Sequence, residues 1–146
     1  FSYPFPGAGG YDGLRVTKQV LKKGLPMLKD QGKLITIGMS GGDYSGPFIL
    51  DTVDIYNEFY DTEIYILNHL TLSTSCMWIQ ALAKSMDNQV DNESLSNIIF
   101  DEYRKAGITD LYTYALSITR RNKRYRKTQV FDFSDYPYSD NGWWIG

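Results

Sequence analysis

Between Gly7 and Gly42 the chain reads GAGGYDGLRVTKQVLKKGLPMLKDQGKLITIGMSGG, and few architectures accommodate that order of signals. Gly7, Gly9, Gly10 and Gly13 make a turn-rich opening. Leu14, Val20, Leu21, Leu25 and Leu28 then recur at near-helical spacing, which predicts a helix over residues 14–28 with one buried face. Gly24 and Pro26 predict a kink or a split near its end. Asp30-Gln31-Gly32 breaks the helix, and Lys33-Leu34-Ile35-Thr36-Ile37-Gly38 reads as a short buried strand. A helix, a tight turn and a buried strand are the second half of a βαβ unit, so Lys33–Gly38 is expected as an inner parallel strand. Open α/β sheets bind ligands outside the carboxyl ends of their strands. That places a functional rim at residues 38–46, where Gly38, Gly41, Gly42 and Gly46 cluster, with the turn at 7–13 on the same rim.

Composition narrows the class. A chain of 146 residues is one domain's worth and can bury about 70% of its unfolded surface, enough for a real core. Hydrophobic content of 42% and charged content of 22% are those of a globular protein, which argues against a disordered chain. A net charge of −2 gives no whole-protein pull toward nucleic acid or membrane. The single cysteine, Cys76, excludes an intramolecular disulfide and fits a reducing, cytoplasmic compartment. No apolar run is long enough to span a bilayer. FSYPFPGAGG has neither the basic start nor the apolar core of a signal peptide, and with no initiator Met the chain is expected to be cut from a longer protein.

Beyond the opening stretch, Met39–Gly46 reads as a loop and Pro47 as the first position of a helix over residues 47–60, with Phe48, Thr52, Ile55 and Phe59 in step. Glu63–Leu72 is apolar and β-rich, hence a strand. Ser73, Thr74 or Ser75 caps a further helix carrying Trp78, Leu82 and Met86. After a polar linker at 87–92, Asn92 or Ser94 opens a helix with Leu95, Ile98, Ile99, Tyr103 and Ala106 on one face. Gly107 ends it as a left-handed cap, and Ile108 folds back as the apolar contact. Tyr112, Tyr114, Leu116 and Ile118 alternate as one face of a strand over 110–119, and 128–133 reads as a second strand. The two are expected to pair as an antiparallel hairpin around the basic turn 120–127.

GGYDGL, the helix after it and LPMLKDQGKLITIG resemble the middle of a class I S-adenosylmethionine-dependent methyltransferase, closest to the type that methylates the glutamine amide of peptide release factors. The matched stretch, Gly9 to Gly38, is about a fifth of the chain. The helix, Arg104-Lys105-Ala106-Gly107 and the strand after them resemble the end of such an enzyme, where the last helix feeds an antiparallel pair of strands. The resemblance implies an α/β fold: the C-terminal portion of a Rossmann-like methyltransferase sheet ending in an antiparallel strand pair, with residues 47–90 as a helical lid-like insertion. It implies S-adenosylmethionine as cofactor and methyl transfer to an acceptor that is a small molecule, a protein or RNA. The glycine loop that holds the donor, the acidic residue that grips its ribose and an Asn-Pro-Pro-Tyr motif are absent from the chain, so the resemblance puts them in an N-terminal part upstream of Phe1. Both an amide or amine nitrogen and a small-molecule oxygen stay open as acceptor.

For substrate contacts the candidates are Tyr3, Phe5, Gly10, Asp12, Ser40 and His69. Tyr3 and Phe5 form a pocket wall stiffened by Pro4 and Pro6, or plug a core edge. Asp12 reads first as the cap of the opening helix. His69, the only histidine, reads first as a structural residue in an apolar segment, and otherwise as a base for an acceptor hydroxyl. Cys76 reads as a small core residue. One histidine and one cysteine cannot build a structural zinc site. An alternative function is a non-catalytic module that binds RNA or an acidic partner through Arg120, Arg121, Arg124 and Arg126, with Tyr125 stacking on a base. Trp143 and Trp144 are expected to pack on the domain, on the missing half or on a second subunit as a homodimer. The methyl-donor reading hangs on Lys33–Gly38 lying inside a parallel sheet.

Overall fold

A computed structural model describes residues 9–56, 58–86, 90–122 and 127–135. In chain order the elements are α1 (Arg15–Gly24) with a 3-10 turn (Leu25–Met27), β1 (Lys33–Asp43), β2 (Gly46–Pro47), α2 (Ile49–Asp54), β3 (Tyr60–Thr71), α3 (Met77–Ser85), α4 (Asn92–Lys105), β4 (Asp110–Arg120) and β5 (Lys127–Asp132). The split at Gly24 and Pro26 is thus present, with Pro26 in the 3-10 turn where its missing N–H costs nothing.

The sheet has the order β2-β1-β4-β3-β5. β4 is antiparallel to β1 on one side and to β3 on the other, and β3 is parallel to β5. Hence β1, β3 and β5 run one way and β4 the other, a mixed sheet in an α/β chain. β4 is the middle strand because both of its faces are apolar: Tyr114, Leu116 and Ile118 are fully buried on one, Leu111 nearly so on the other. Tyr114, Leu116, Ile118 and Ile64 pack against Leu14, Leu21 and Leu25 from the α1 segment and Ile49 and Val53 from α2. On the opposite face Leu111, with Met39 and Leu70, packs against Ile79 and Ala83 of α3 and Leu95, Ile99 and Tyr103 of α4. Farther along that second face Ile35 and Ile37 are each 69% exposed.

Several expectations are corrected. Lys33–Gly38 is not an inner parallel strand: its partner is β4, antiparallel, from Thr119 to Tyr114, and its other edge has no strand among the described residues. Met39–Gly46 is not a loop, because β1 continues to Asp43. Its glycines give clearance: a Cβ on Gly38 would sit 2.8 Å from the Tyr114 hydroxyl, and one on Gly41 would sit 2.7 Å from Ile108. The helix foreseen over 47–60 is six residues long, and Ile55 stands exposed beyond it. The strands at 110–120 and 127–132 do not form a hairpin: β1 and β3 occupy both edges of β4, so β5 adds to the far edge of β3. Residues 47–90 are not a helical lid, since they supply β3 between β4 and β5.

α4 is opened by Asp91, one residue before the expected start, whose Oδ1 accepts from the Ser94 N–H at 2.9 Å. It closes as foreseen: Gly107 N–H donates to Arg104 O and Ile108 N–H to Tyr103 O, the two bonds of a Schellman ending, with Ile108 fully buried. Tyr103, deep between α3 and α4, accepts from Trp78 Nε1 at 2.8 Å. Burial pushes the Tyr103 hydroxyl up to about 12. Among the described residues no helix is long and apolar enough to cross a membrane.

Candidate functional site

The carboxyl ends of β1 and β3 and the start of β4 lie at one end of the sheet. In register, Ser40 faces Tyr112, Tyr112 faces His69, Gly42 faces Asp110, and Asp110 faces Thr71. The opening glycine turn reaches the same end: Gly10 and Gly13 take left-handed φ values of 74° and 79°, and the Gly41 N–H donates to Asp12 O at 2.8 Å. Of the turn expected at 7–13, the described residues 9–13 meet β1 at Gly41, within the rim expected at 38–46.

A bulge sets which side chains point into this rim. The β3–β4 register shifts between Ile66 and Asn68. Side chains alternate with a period of two, so Thr62, Ile64 and Ile66 share one face, and an unbulged strand would send His69 to the other. The extra residue, Leu67, turns His69 onto the face of Tyr112 and Asp110. The His69 ring stacks on Tyr112 with centroids 4.5 Å apart and planes 8° from parallel. Its Nε2 is 2.8 Å from Asp110 Oδ1, and its side chain keeps 36% of its surface open.

Asp110 is the anchor. Only 4% exposed, its carboxylate also accepts from Thr71 Oγ1 at 2.9 Å and from Thr109 Oγ1 at 2.5 Å. Burial alone would raise its pKa, but the hydrogen bonds from Thr109, His69 and Thr71 outweigh it and hold the carboxyl below the ordinary carboxylate value. Tyr112 donates its hydroxyl to Asp43 O at 2.7 Å. Burial first, then the charges of Asp110, Asp43 and Asp132, push this phenol up to about 12, so it stays protonated at neutral pH. Asp43 itself lies below its ordinary value because Ser45 donates to it from side chain and backbone.

The remaining candidates fall elsewhere. Ser40 is fully buried, donating to Gly41 O at 2.7 Å and accepting from the Ile49 N–H at 3.1 Å; it fastens the start of α2 and cannot touch a ligand. Asp12 acts at the helix start: Oδ1 accepts from the Leu14 N–H at 2.9 Å, and Oδ2 pairs with Lys18. Gly10 is buried in the turn. Tyr3 and Phe5 lie outside the described residues, as do Arg124 and Arg126. Arg120 donates to Leu28 O, and Arg121 binds Asp61 and Gln31, so both guanidinium groups are occupied within the chain. No group of three His, Cys, Asp or Glu side chains among the described residues could hold a metal ion.

Of the partners gathered around His69, the sequence reading singled out none. An acidic residue opening an otherwise apolar strand was the available signal for Asp110. Lone threonines give no such sign. No protein-family model and no curated protein matches the chain, so function is argued from this rim.

Proposed function

We propose that the chain is the C-terminal part of a class I S-adenosylmethionine-dependent methyltransferase, with the methyl acceptor held over the rim. The observation that carries the reading is the meeting of the left-handed glycine turn with the carboxyl ends of β1 and β3, tied by the Gly41–Asp12 hydrogen bond. In open parallel α/β sheets ligands bind at the carboxyl ends of the strands; here β1 and β3 share such an end, although β4 between them runs the other way. Methyl transfer from a sulfonium asks the protein mainly for positioning and exclusion of water, because the donor brings its own leaving group. Lys33–Gly38 pairs antiparallel with β4 and lies in no parallel sheet, so the condition on which the sequence reading hung the methyl donor is not met, and the reading stands on the rim. An upstream half is supported by that strand's outer edge, which pairs with no strand among the described residues and lies beside the exposed Ile35 and Ile37.

Calorimetric titration with S-adenosylhomocysteine tests the reading, on the chain and on the longer parent protein that the reading implies. Binding by the parent supports it, and no binding by either form sinks it. Among the described residues the module that binds RNA or an acidic partner through 120–127 has no observation in its favour, with Arg120 and Arg121 already engaged. RNA binding lost on Arg124→Ala and Arg126→Ala would put it first.

A further inference from the structure

We infer that the outward side of α1 is a docking groove for an acidic amphipathic helix of a separate protein. The inference goes beyond the methyl-transfer reading and takes nothing from it. Shape, apolar surface and charge meet in one place. α1 already has a buried side, with Thr17 and Leu21 turned to the core. Yet Val16, Val20 and Met27 stand 49%, 39% and 82% exposed. With Gln19, Lys23 and Gly24 they line an open groove of about 350 Å³. Val16, Val20, Lys23 and Met27 follow one another at steps of four and three residues, so they form a single row along α1 and its 3-10 turn. Gly24 keeps the inner side of the groove open, where the helix lies so close to β1 that a Cβ would come 2.8 Å from Leu34 Cδ1. A second apolar row on a helix whose first is buried is surface for another partner.

Charge selects the partner. From Gly13 to Lys29 the chain carries Arg15, Lys18, Lys22, Lys23 and Lys29 and no aspartate or glutamate, although acids outnumber bases 17 to 15 in the whole sequence. Lys18 pairs with Asp12, but Arg15, Lys22 and Lys23 form no ion pair among the described residues. Lys22 and Lys23 suit the last turn of α1, where the end of a helix favours cations. Arg15 does not: it sits in the first turn, with no acidic residue in that turn to offset it. Arg15, Gln19 and Lys22 form the row next to the groove, and Lys23 lines it. An occupant therefore meets an apolar trough with positive charge along one flank. A second copy of the chain would set these cations against themselves. An anionic bilayer takes up a protruding apolar ridge, and the groove is concave. A helix with an apolar stripe and carboxylates beside it fits both features, laying the stripe into the trough and its charges against Arg15, Lys22 and Lys23. The surface that takes an acidic partner is thus α1 and not 120–127.

The probe is a capped peptide stapled as a helix, with a stripe of leucines flanked by glutamates and a fluorophore at one end. Fluorescence anisotropy with the unaltered chain should show saturable binding that weakens as salt is raised. Val20→Asp should weaken it about tenfold, because it puts a charge into the trough. Lys22→Glu together with Lys23→Glu should also weaken it about tenfold. Met27→Ala, at the most exposed of the three apolar positions, should weaken it without moving the urea midpoint, which keeps the test open if Val20→Asp unfolds the chain. Arg124→Ala with Arg126→Ala should leave binding unchanged. No binding by the unaltered chain overturns the inference, as does equal binding of a peptide with lysines in place of the glutamates. Binding that survives both Val20→Asp and Met27→Ala, or that is lost on Arg124→Ala with Arg126→Ala, places the partner elsewhere and overturns it too. Vesicles rich in phosphatidylserine are the competing ligand: a chain that binds them through Val20 and Met27 and ignores the peptide assigns the surface to a membrane. Sedimentation that shows a dimer lost on Met27→Ala assigns it to a second copy, and either result overturns the inference.

Discussion

The two halves of β4 are held in place by different physics. From Tyr114 to Ile118 the inward side chains are fully buried among leucines and isoleucines of α1, α2 and β3. Burial of this kind is non-directional, and each such side chain contributes roughly 1.5–3 kcal/mol. From Asp110 to Tyr112 the same face is held by directional bonds: Asp110 to His69, Thr71 and Thr109, and Tyr112 to Asp43. The first half answers to volume and the second to charge and geometry. A strand can therefore carry a site at one end without weakening the core at the other.

Mutations can sharpen or break that division. The largest effect is expected from Leu116→Ala in the packed half, a loss of about 2–5 kcal/mol read as a lower urea midpoint with unchanged slope. Gly42→Ala should cost about 1–3 kcal/mol, because its Cβ would meet Gly46 O at 2.4 Å and the Tyr112 ring at 2.8 Å. Asp110→Asn should cost about 1–3 kcal/mol at neutral pH, and its signature is pH dependence. The folded carboxyl titrates below its unfolded value, so its stabilisation is complete above the ordinary carboxylate range and is lost as pH falls through the folded value. The gap in urea midpoint between the unaltered protein and Asp110→Asn should thus close in acid, while the Leu116→Ala gap persists. Equal closure for both would erase the distinction between the halves. Tyr114→Phe, which strips the hydroxyl 2.8 Å from Thr17 Oγ1, should cost about 1 kcal/mol at every pH tested. Smallest of all, Ile37→Thr on the exposed face should stay within about 0.5 kcal/mol by the same titration.

What could be read from the sequence was whatever local signals decide. α1 and its split, the Schellman ending at Gly107 and the alternation of β4 each follow from residues a few positions apart. What could not be read was decided across the sheet. Gly38, Gly41 and Gly42 look like a loop locally, but Tyr114, Ile108 and Tyr112 lie over them and leave no room for side chains. The partner of β5 was misjudged because a short basic connection suggests a hairpin, whereas β1 and β3 had already filled both edges of β4. His69 was named, but its face was hidden, since one bulged residue reverses the parity of everything after it. Asp110 was passed over as the first residue of a strand.

The order β1-β4-β3 also bears on how the chain is made. β1 and β3 never touch; each waits for residues 110–120 to bridge them, and β5 comes later still. As the polypeptide leaves the ribosome, the helices and the small β1–β2 contact can form early, but the sheet closes only once the last third has emerged. A nascent chain stalled before Asp110 would display two apolar strands lacking their shared neighbour, a species for chaperones to shield.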